Sequence, residues 1–214
     1  MSSLQLLGIS AGREDKVTEK AVKNVLKASG LPFEFYSLAS FNIYTCDACN
    51  GCVESHKCVK DDKLNEIFQA MQKSAGIVFG APEYWNGMNA KGRAFLERVC
   101  FSGRHNNHFP LADKPGVIVG VSGDGDSRAV IKDGERFFED ARINIVETIQ
   151  IQGEYACFTC GYGHECDVGG LKNFYDLPVD PSRVKKPELC RQKPEDKNSS
   201  VLPELREAGR KLAE

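Results

Sequence analysis

A chain of 214 residues suits one domain with an appendage and is long enough to bury a core without disulfide support. Its 28 Lys and Arg against 30 Asp and Glu leave a formal charge of -2, which offers no basic surface for nucleic acid and no patch for a membrane surface. No segment approaches the ~20 apolar residues of a membrane span. The apolar run at residues 4–9 has neither a basic region before it nor a cleavage site after it, so a cytoplasmic protein is expected. In that reducing compartment nine cysteines point to metal or redox work rather than to structural bridges.

In chain order, Leu4-Gln5-Leu6-Leu7-Gly8-Ile9 suits a strand buried on both faces, and it stops at Ser10-Ala11-Gly12-Arg13. Val17, Ala21, Val22, Val25 and Leu26 then recur at helical steps, with Lys20, Lys23 and Lys27 left for solvent, until Ser29-Gly30 ends the pattern. Phe33 to Leu38 alternates and is aromatic-rich, a second strand. Past a cysteine-rich loop, Asp61 and Asp62 are placed to cap a helix whose Leu64, Ile67, Phe68 and Met71 form one apolar face. Gly76 to Gly80 reads as the third strand, followed by a loop from Ala81 to Met88 and a helix carrying Ala94, Phe95, Leu96 and Val99. The fourth strand, Gly116 to Val121, runs into Ser122-Gly123-Asp124-Gly125-Asp126 and a helix through Ala129, Val130, Phe137 and Phe138; Ile143 to Ile151 makes the fifth. This alternation argues for an α/β protein, its parallel sheet covered on both faces, and five strands fit the doubly wound 2-1-3-4-5 order of a flavodoxin-like fold. That unit occupies residues 1–152. Residues 153–214 read as a cysteine-bearing C-terminal extension, with prolines at 178, 181, 187 and 194, the polar run Lys193 to Ser200, and a helix from Pro203. Leu202, Leu205 and Leu212 would dock that helix on the core or on another subunit.

Four thiols fall within thirteen positions, at Cys46, Cys49, Cys52 and Cys58. Two residues between successive cysteines let the backbone curl round a small object, and Ala48, Asn50 and Gly51 keep that curl unobstructed. Zinc usually draws its ligands from two separated pairs, and disulfides need an oxidising compartment. A single 4Fe-4S cluster is therefore the leading expectation, with zinc the alternative. Cys100, within an apolar helical pattern, reads as a buried small hydrophobe. His56 is expected beside the cluster or in solvent, and His105 and His108, in a polar connection, are expected to be solvated.

Ligands of an open parallel sheet collect outside the carboxyl ends of its strands, where three loops of this chain lie. The first offers Ser10, Arg13, Lys16, Val17 and Thr18, hydroxyls, cations and helix N-terminal amides that suit a phosphate. Glu14 and Asp15 must point outward for a dianion to be accepted there. The second, Pro82-Glu83-Tyr84-Trp85-Asn86-Gly87, brings apolar surface and close backbone to a flat ring. The third, Ser122-Gly123-Asp124-Gly125, presents amides to the ring's polar edge. Together they describe an FMN pocket.

With Cys-x2-Cys-x2-Cys-x5-Cys between the second strand and the next helix, the chain resembles the iron-sulfur flavoprotein family over about residues 4–151. Ala81-Pro82-Glu83-Tyr84, Gly87 and Phe95-Leu96-Glu97-Arg98 carry the resemblance further, while the family's serine-proline-arginine turn is here Ala11-Gly12-Arg13. The resemblance implies one FMN and one 4Fe-4S cluster per subunit, a homodimer or homotetramer, and ferredoxin or a similar carrier as partner. It also implies that the cluster of one subunit lies near a flavin of its neighbour.

Cys157, Cys160 and Cys166 repeat the spacing of Cys49, Cys52 and Cys58 and suggest a second metal site, 4Fe-4S or zinc, with Cys190 or His164 as a fourth ligand. A redox dithiol at Cys157 and Cys160 and an incidental cysteine loop are the other readings. The functional expectation is an electron-transfer flavoenzyme that needs no catalytic acid or nucleophile. Its alternatives are an NAD(P)H-dependent FMN or quinone reductase with structural zinc, and a non-enzymatic metal-organised scaffold or sensor.

Overall fold

The computed structural model describes residues 5–155, 157, 160, 162–163, 165–173, 178, 180 and 202–213. Five parallel strands, β1 (Leu6–Ser10), β2 (Phe33–Ser37), β3 (Gly76–Pro82), β4 (Pro115–Ser122) and β5 (Asn144–Gln152), form one sheet in the order β2-β1-β3-β4-β5. The inner strands β1, β3 and β4 are apolar and buried almost throughout, whereas β2 and β5, at the edges, keep part of their length in solvent. That is why the inner strands read as apolar runs and the second strand as an alternating one.

Successive strand residues point to opposite faces, and the sheet has two cores accordingly. Leu7, Ile9, Phe79 and Ile118 pack against α2 (Leu64–Lys73), α3 (Ala90–Arg104) and α4 (Arg128–Asp140). Leu6, Val78, Val117 and Val119 pack against α1 (Val17–Ala28) and the C-terminal helix α5 (Leu202–Ala213). Leu202, Leu205, Ala208 and Leu212 of α5 are buried in the second core, so the helix docks on its own chain. The approach to α1 is close: a Cβ on Gly209 would stand 2.6 Å from the Val25 carbonyl and 2.8 Å from Ala28 Cβ. Lys211 Nζ pairs with Glu147 Oε2 of β5 at 2.6 Å, which fixes the register.

Expected capping of α2 is only half realised. Asp62 Oδ1 accepts the Leu64 N–H at 3.1 Å, but the residue before the helix is Lys63, and Asp62 has a stronger commitment elsewhere. Residue 4, the prolines at 181, 187 and 194, and the run 193–200 lie outside the described residues. Among the described residues no helix is long and apolar enough to cross a membrane.

Candidate functional site

Along the carboxyl edge of the sheet lies an open cleft of about 370 Å³. Its lining includes Arg13, Lys16, Val17 and Thr18 of the first loop, Pro82, Glu83 and Tyr84 of the second, and Ser122, Gly123 and Asp124 of the third. A fourth loop, after β5, completes it with Gly153, Glu154 and Tyr155. The expectation did not include that loop, although the rule that ligands gather beyond the strand ends applies equally to β5.

The first loop is shaped from within. Ser10 is fully buried and its Oγ accepts the Gly12 N–H at 3.2 Å, so Ser10 bends the loop rather than lining the cleft. Gly12 lies against Thr18, where a Cβ would come within 2.6 Å of the threonine Cβ. No side chain caps α1 at Lys16, which leaves the amides of its first turn facing the cleft end that Arg13 and Lys16 line. Glu14 turns away and accepts a hydrogen bond from Ser40, and Asp15 is exposed; neither lines the cleft. Cations, a hydroxyl and a helix N-terminus at one end of the cleft are the donor set a phosphate takes.

The second loop is a tight turn closed by Tyr84 N–H donating to the Gly87 carbonyl at 2.9 Å, with Trp85 and Asn86 at φ 56° and 57°. Two consecutive left-handed residues make it a type I′ turn. Tyr84 therefore faces the cleft, while Trp85, at the tip, is 100% exposed. Trp85, Asn86 and Gly87 do not line the cleft, a departure from expectation that follows from the turn's geometry. Asn89, at the start of α3, donates from Nδ2 to the Ala11 carbonyl at 2.9 Å and joins the second loop to the first.

In the third loop Ser122 Oγ donates to Asp124 Oδ1 at 2.6 Å, and Asp124 also accepts the Asp126 N–H. Gly125, at φ 94°, makes the turn and does not line the cleft. Burial, followed by the negative charges of Asp124 and Asp126, pushes the Glu83 carboxyl above its ordinary range. Lys16 Nζ stands 3.7 Å from Glu154 Oε2 across the cleft.

The second centre is built from side chains. Cys46, Cys49, Cys52 and Cys58 line one small pocket beneath α3, together with Arg98, Phe101, Ser102 and His105. Ala48 and Asn50 take left-handed conformations, φ 52° and 59°, and turn the loop so that its cysteines converge. Asn65 of α2 holds Cys58 by both backbone groups, accepting its N–H at 2.9 Å and donating to its carbonyl at 2.7 Å. Arg98, only 1% exposed, donates from Nε and Nη2 to Cys58 Sγ at 3.3 and 3.1 Å. The same guanidinium forks onto Asp62, with Nη2 3.0 Å from Oδ1 and Nη1 bonded to Oδ2. Burial opposes ionisation of Asp62, yet the Arg98, Tyr44 and Leu64 donors outweigh it and hold the carboxyl below its usual range.

Burial raises the Cys52 thiol, and each of the other three cysteines pushes it further in the same direction. Four thiols close enough to repel one another's thiolate forms make a donor set that a positively charged centre would relieve. Among the described residues no three His, Cys, Asp or Glu side chains are arranged to hold a single metal ion. A cubane has one thiolate on each of its four irons, so the four sulfurs need not converge on one point. The cysteine set supplies the four thiolates that such a cluster takes.

One histidine departs from expectation. His105 is half-buried against the cysteine pocket rather than solvated, and its Nε2 has no hydrogen-bond partner among the described residues. His56 and His108 stack with ring centroids 4.1 Å apart. Cys100 is buried as expected, its thiol pushed up to about 12 mainly by that burial.

Cys157 and Cys166 lie near one another, since a Cβ on Gly169 would stand 3.6 Å from Cys157 Sγ and 3.5 Å from Cys166 Cβ. Cys160 is exposed and its Sγ donates to the Cys157 carbonyl at 3.0 Å, so that sulfur turns back on its own turn. Both residues expected as a fourth ligand there, Cys190 and His164, lie outside the described residues.

Sheet order and cleft define a flavodoxin-like protein with its ligand site at the strand ends. A family model described as NADPH-dependent FMN reductase matches residues 4–137. An iron-sulfur flavoprotein of Methanocaldococcus jannaschii is 33% identical over 141 residues, 63% of this chain and 72% of that protein. An iron-sulfur flavoprotein of Methanosarcina thermophila is 30% identical over 124 residues, 56% of this chain and 64% of its own length. An oxidoreductase from Corynebacterium diphtheriae matches with a TM-score of 0.55 at 14% identity, covering 100% of this chain and 96% of that one, a likeness of fold alone. The chain belongs to the NADPH-dependent FMN reductase family and, within its flavodoxin-like fold, to the iron-sulfur flavoproteins. It is a flavin-dependent oxidoreductase, which sets aside the scaffold or sensor reading.

Proposed function

We propose that this protein passes electrons between a one-electron carrier such as ferredoxin and an acceptor, through a 4Fe-4S cluster held by Cys46, Cys49, Cys52 and Cys58 and an FMN held in the cleft. The observation that carries the reading is the gathering of those four thiols at one pocket, in a chain whose strand ends form a cleft lined at one end by Arg13, Lys16 and the first turn of α1. An iron-sulfur cluster passes single electrons and a flavin takes one or two, so the pair connects the two kinds of chemistry. Arg13, Lys16 and the first turn of α1 would hold the phosphate, Pro82 and Tyr84 would face the ring, and the Ser122–Asp124 backbone its polar edge. The flavin-binding unit is residues 1–152 together with the Gly153–Tyr155 loop that completes the cleft, the rest of residues 153–214 being its cysteine-bearing extension.

On the same chain α3 separates the two centres: its first residue adjoins the cleft loops, and Arg98 lies about 12 Å further along the axis. The resemblance to the iron-sulfur flavoproteins adds to the proposal a homodimer or homotetramer in which the cluster of one copy serves the flavin of another.

Anaerobic purification with FMN, iron, acid-labile sulfide and zinc measured per chain tests the proposal. One FMN with four iron and four sulfide is expected, followed by flavin reduction on adding reduced ferredoxin. Zinc without sulfide would sink it. Four iron and no zinc would exclude a second centre at Cys157, Cys160 and Cys166, while additional iron or zinc would support one. The match to an NADPH-dependent FMN reductase model favours a second reading, direct reduction by NAD(P)H. Under that reading NADPH bleaches the flavin equally well in a Cys52→Ser variant.

A further inference from the structure

Arg98 is a buried cation with two partners of opposite consequence. Two of its N–H groups meet Cys58 Sγ at 3.3 and 3.1 Å, and its fork is shared with Asp62, which is as deeply buried as the arginine. Its Nη1 also donates to the Tyr44 carbonyl at 3.1 Å, just before the cysteine run begins. Among the described residues Cys58 is the one cysteine of the four whose sulfur accepts side-chain hydrogen bonds. Nothing about holding the loop requires these contacts to reach sulfur, since Asn65 already fixes the Cys58 backbone.

We infer that Arg98 is a positioning residue that sets the reduction potential of the centre held by the four cysteines, through its two hydrogen bonds to Cys58 Sγ, with Asp62 as the opposing charge. The inference rests on the cluster assignment proposed above. When such a centre accepts one electron from a reduced one-electron carrier, its charge becomes one unit more negative. A cation bonded to a ligand sulfur stabilises that state more than the oxidised one, the more so out of water. Asp62 acts in the contrary sense by neutralising part of the guanidinium's charge. His105, just past the end of the same helix, lines the same pocket, and its buried Nε2 has no hydrogen-bond partner among the described residues.

The test uses full-length protein, anaerobically loaded with FMN, iron and sulfide, in Arg98→Gln and Asp62→Asn forms. Potentiometric titration followed by electron paramagnetic resonance reads the cluster, and flavin absorbance in the same titration is the internal control. Arg98→Gln is expected to lower the cluster potential by about a tenfold change in electron affinity, 59 mV for one electron. Asp62→Asn is expected to raise it, and the flavin potential stays where it was in both. Because a loosened loop would move both variants in one direction, shifts of the same sign, or none, overturn the inference. Should Arg98→Gln fail to retain iron, the sign of the Asp62→Asn shift decides alone. A wild-type protein that takes up no iron and sulfide overturns the function proposed above along with this one, whereas loaded protein with unmoved potentials overturns this one only.

Discussion

The cleft and the cysteine pocket are built on contrasting principles. The cleft exists because parallel strands end together, and its lining comes from four loops that follow four different strands. Most of what it offers a ligand is backbone and flexible surface charge. The pocket comes from a single loop, and its shape depends on side chains that reach it from α2 and α3: Asn65, Arg98 and His105's neighbourhood at the helix end. Topology suffices for the first site, whereas the second needs particular residues, so damage should spread differently through each.

The sharpest way to break the comparison is at the ligands. Cys52→Ser should abolish iron and sulfide retention while FMN stays bound and the thermal transition of the apoprotein is unchanged; loss of FMN as well would show that the two centres are not separately built. Arg98→Ala should cost the apoprotein about 3–5 kcal/mol by leaving Asp62 buried without its partner, read as a lower denaturation midpoint. A cleft residue should do far less. Lys16→Ala should weaken FMN binding about tenfold, roughly 1.4 kcal/mol, with little change in the stability of the apoprotein.

The smallest effect concerns pH. Glu83 has its folded carboxyl raised by burial and by Asp124 and Asp126, so folding is penalised once the unfolded carboxyl ionises. The penalty is absent below the ordinary glutamate range, grows as pH rises from there to the folded value, and is constant above. Glu83→Gln should therefore raise the apoprotein Tm at pH 7 by about 2 °C or less, with the gain vanishing in acid. A gain that persisted in acid would mean that shape rather than charge is responsible.

The sheet was legible because β1, β3 and β4 are fully covered and so keep a continuous apolar composition, and because the helices between them hold their 3.6-residue stripes. The cysteine loop was legible from local spacing alone. Arg98 stood out only as part of the Phe95-Leu96-Glu97-Arg98 motif and its contact with Cys58 was not legible, because its burial arises only when α3 folds over a loop forty residues earlier in the chain. The position of Trp85 was not legible either, since an aromatic beside a cleft suggests a stacking surface while the turn it occupies carries it outward. The fourth cleft loop at Gly153–Tyr155 follows from sheet order, yet its residues carry no pattern of their own.

Because α5 covers the outer side of α1, the last turns of the chain brace the helix whose first turn meets the cleft. Cutting the protein back to residue 152, where the fifth strand ends, would uncover Val25 and its neighbours and leave a sticky apolar stripe in water. A shortened form of this protein would sooner aggregate than yield a minimal flavin carrier, and any purification tag is better placed at the other end.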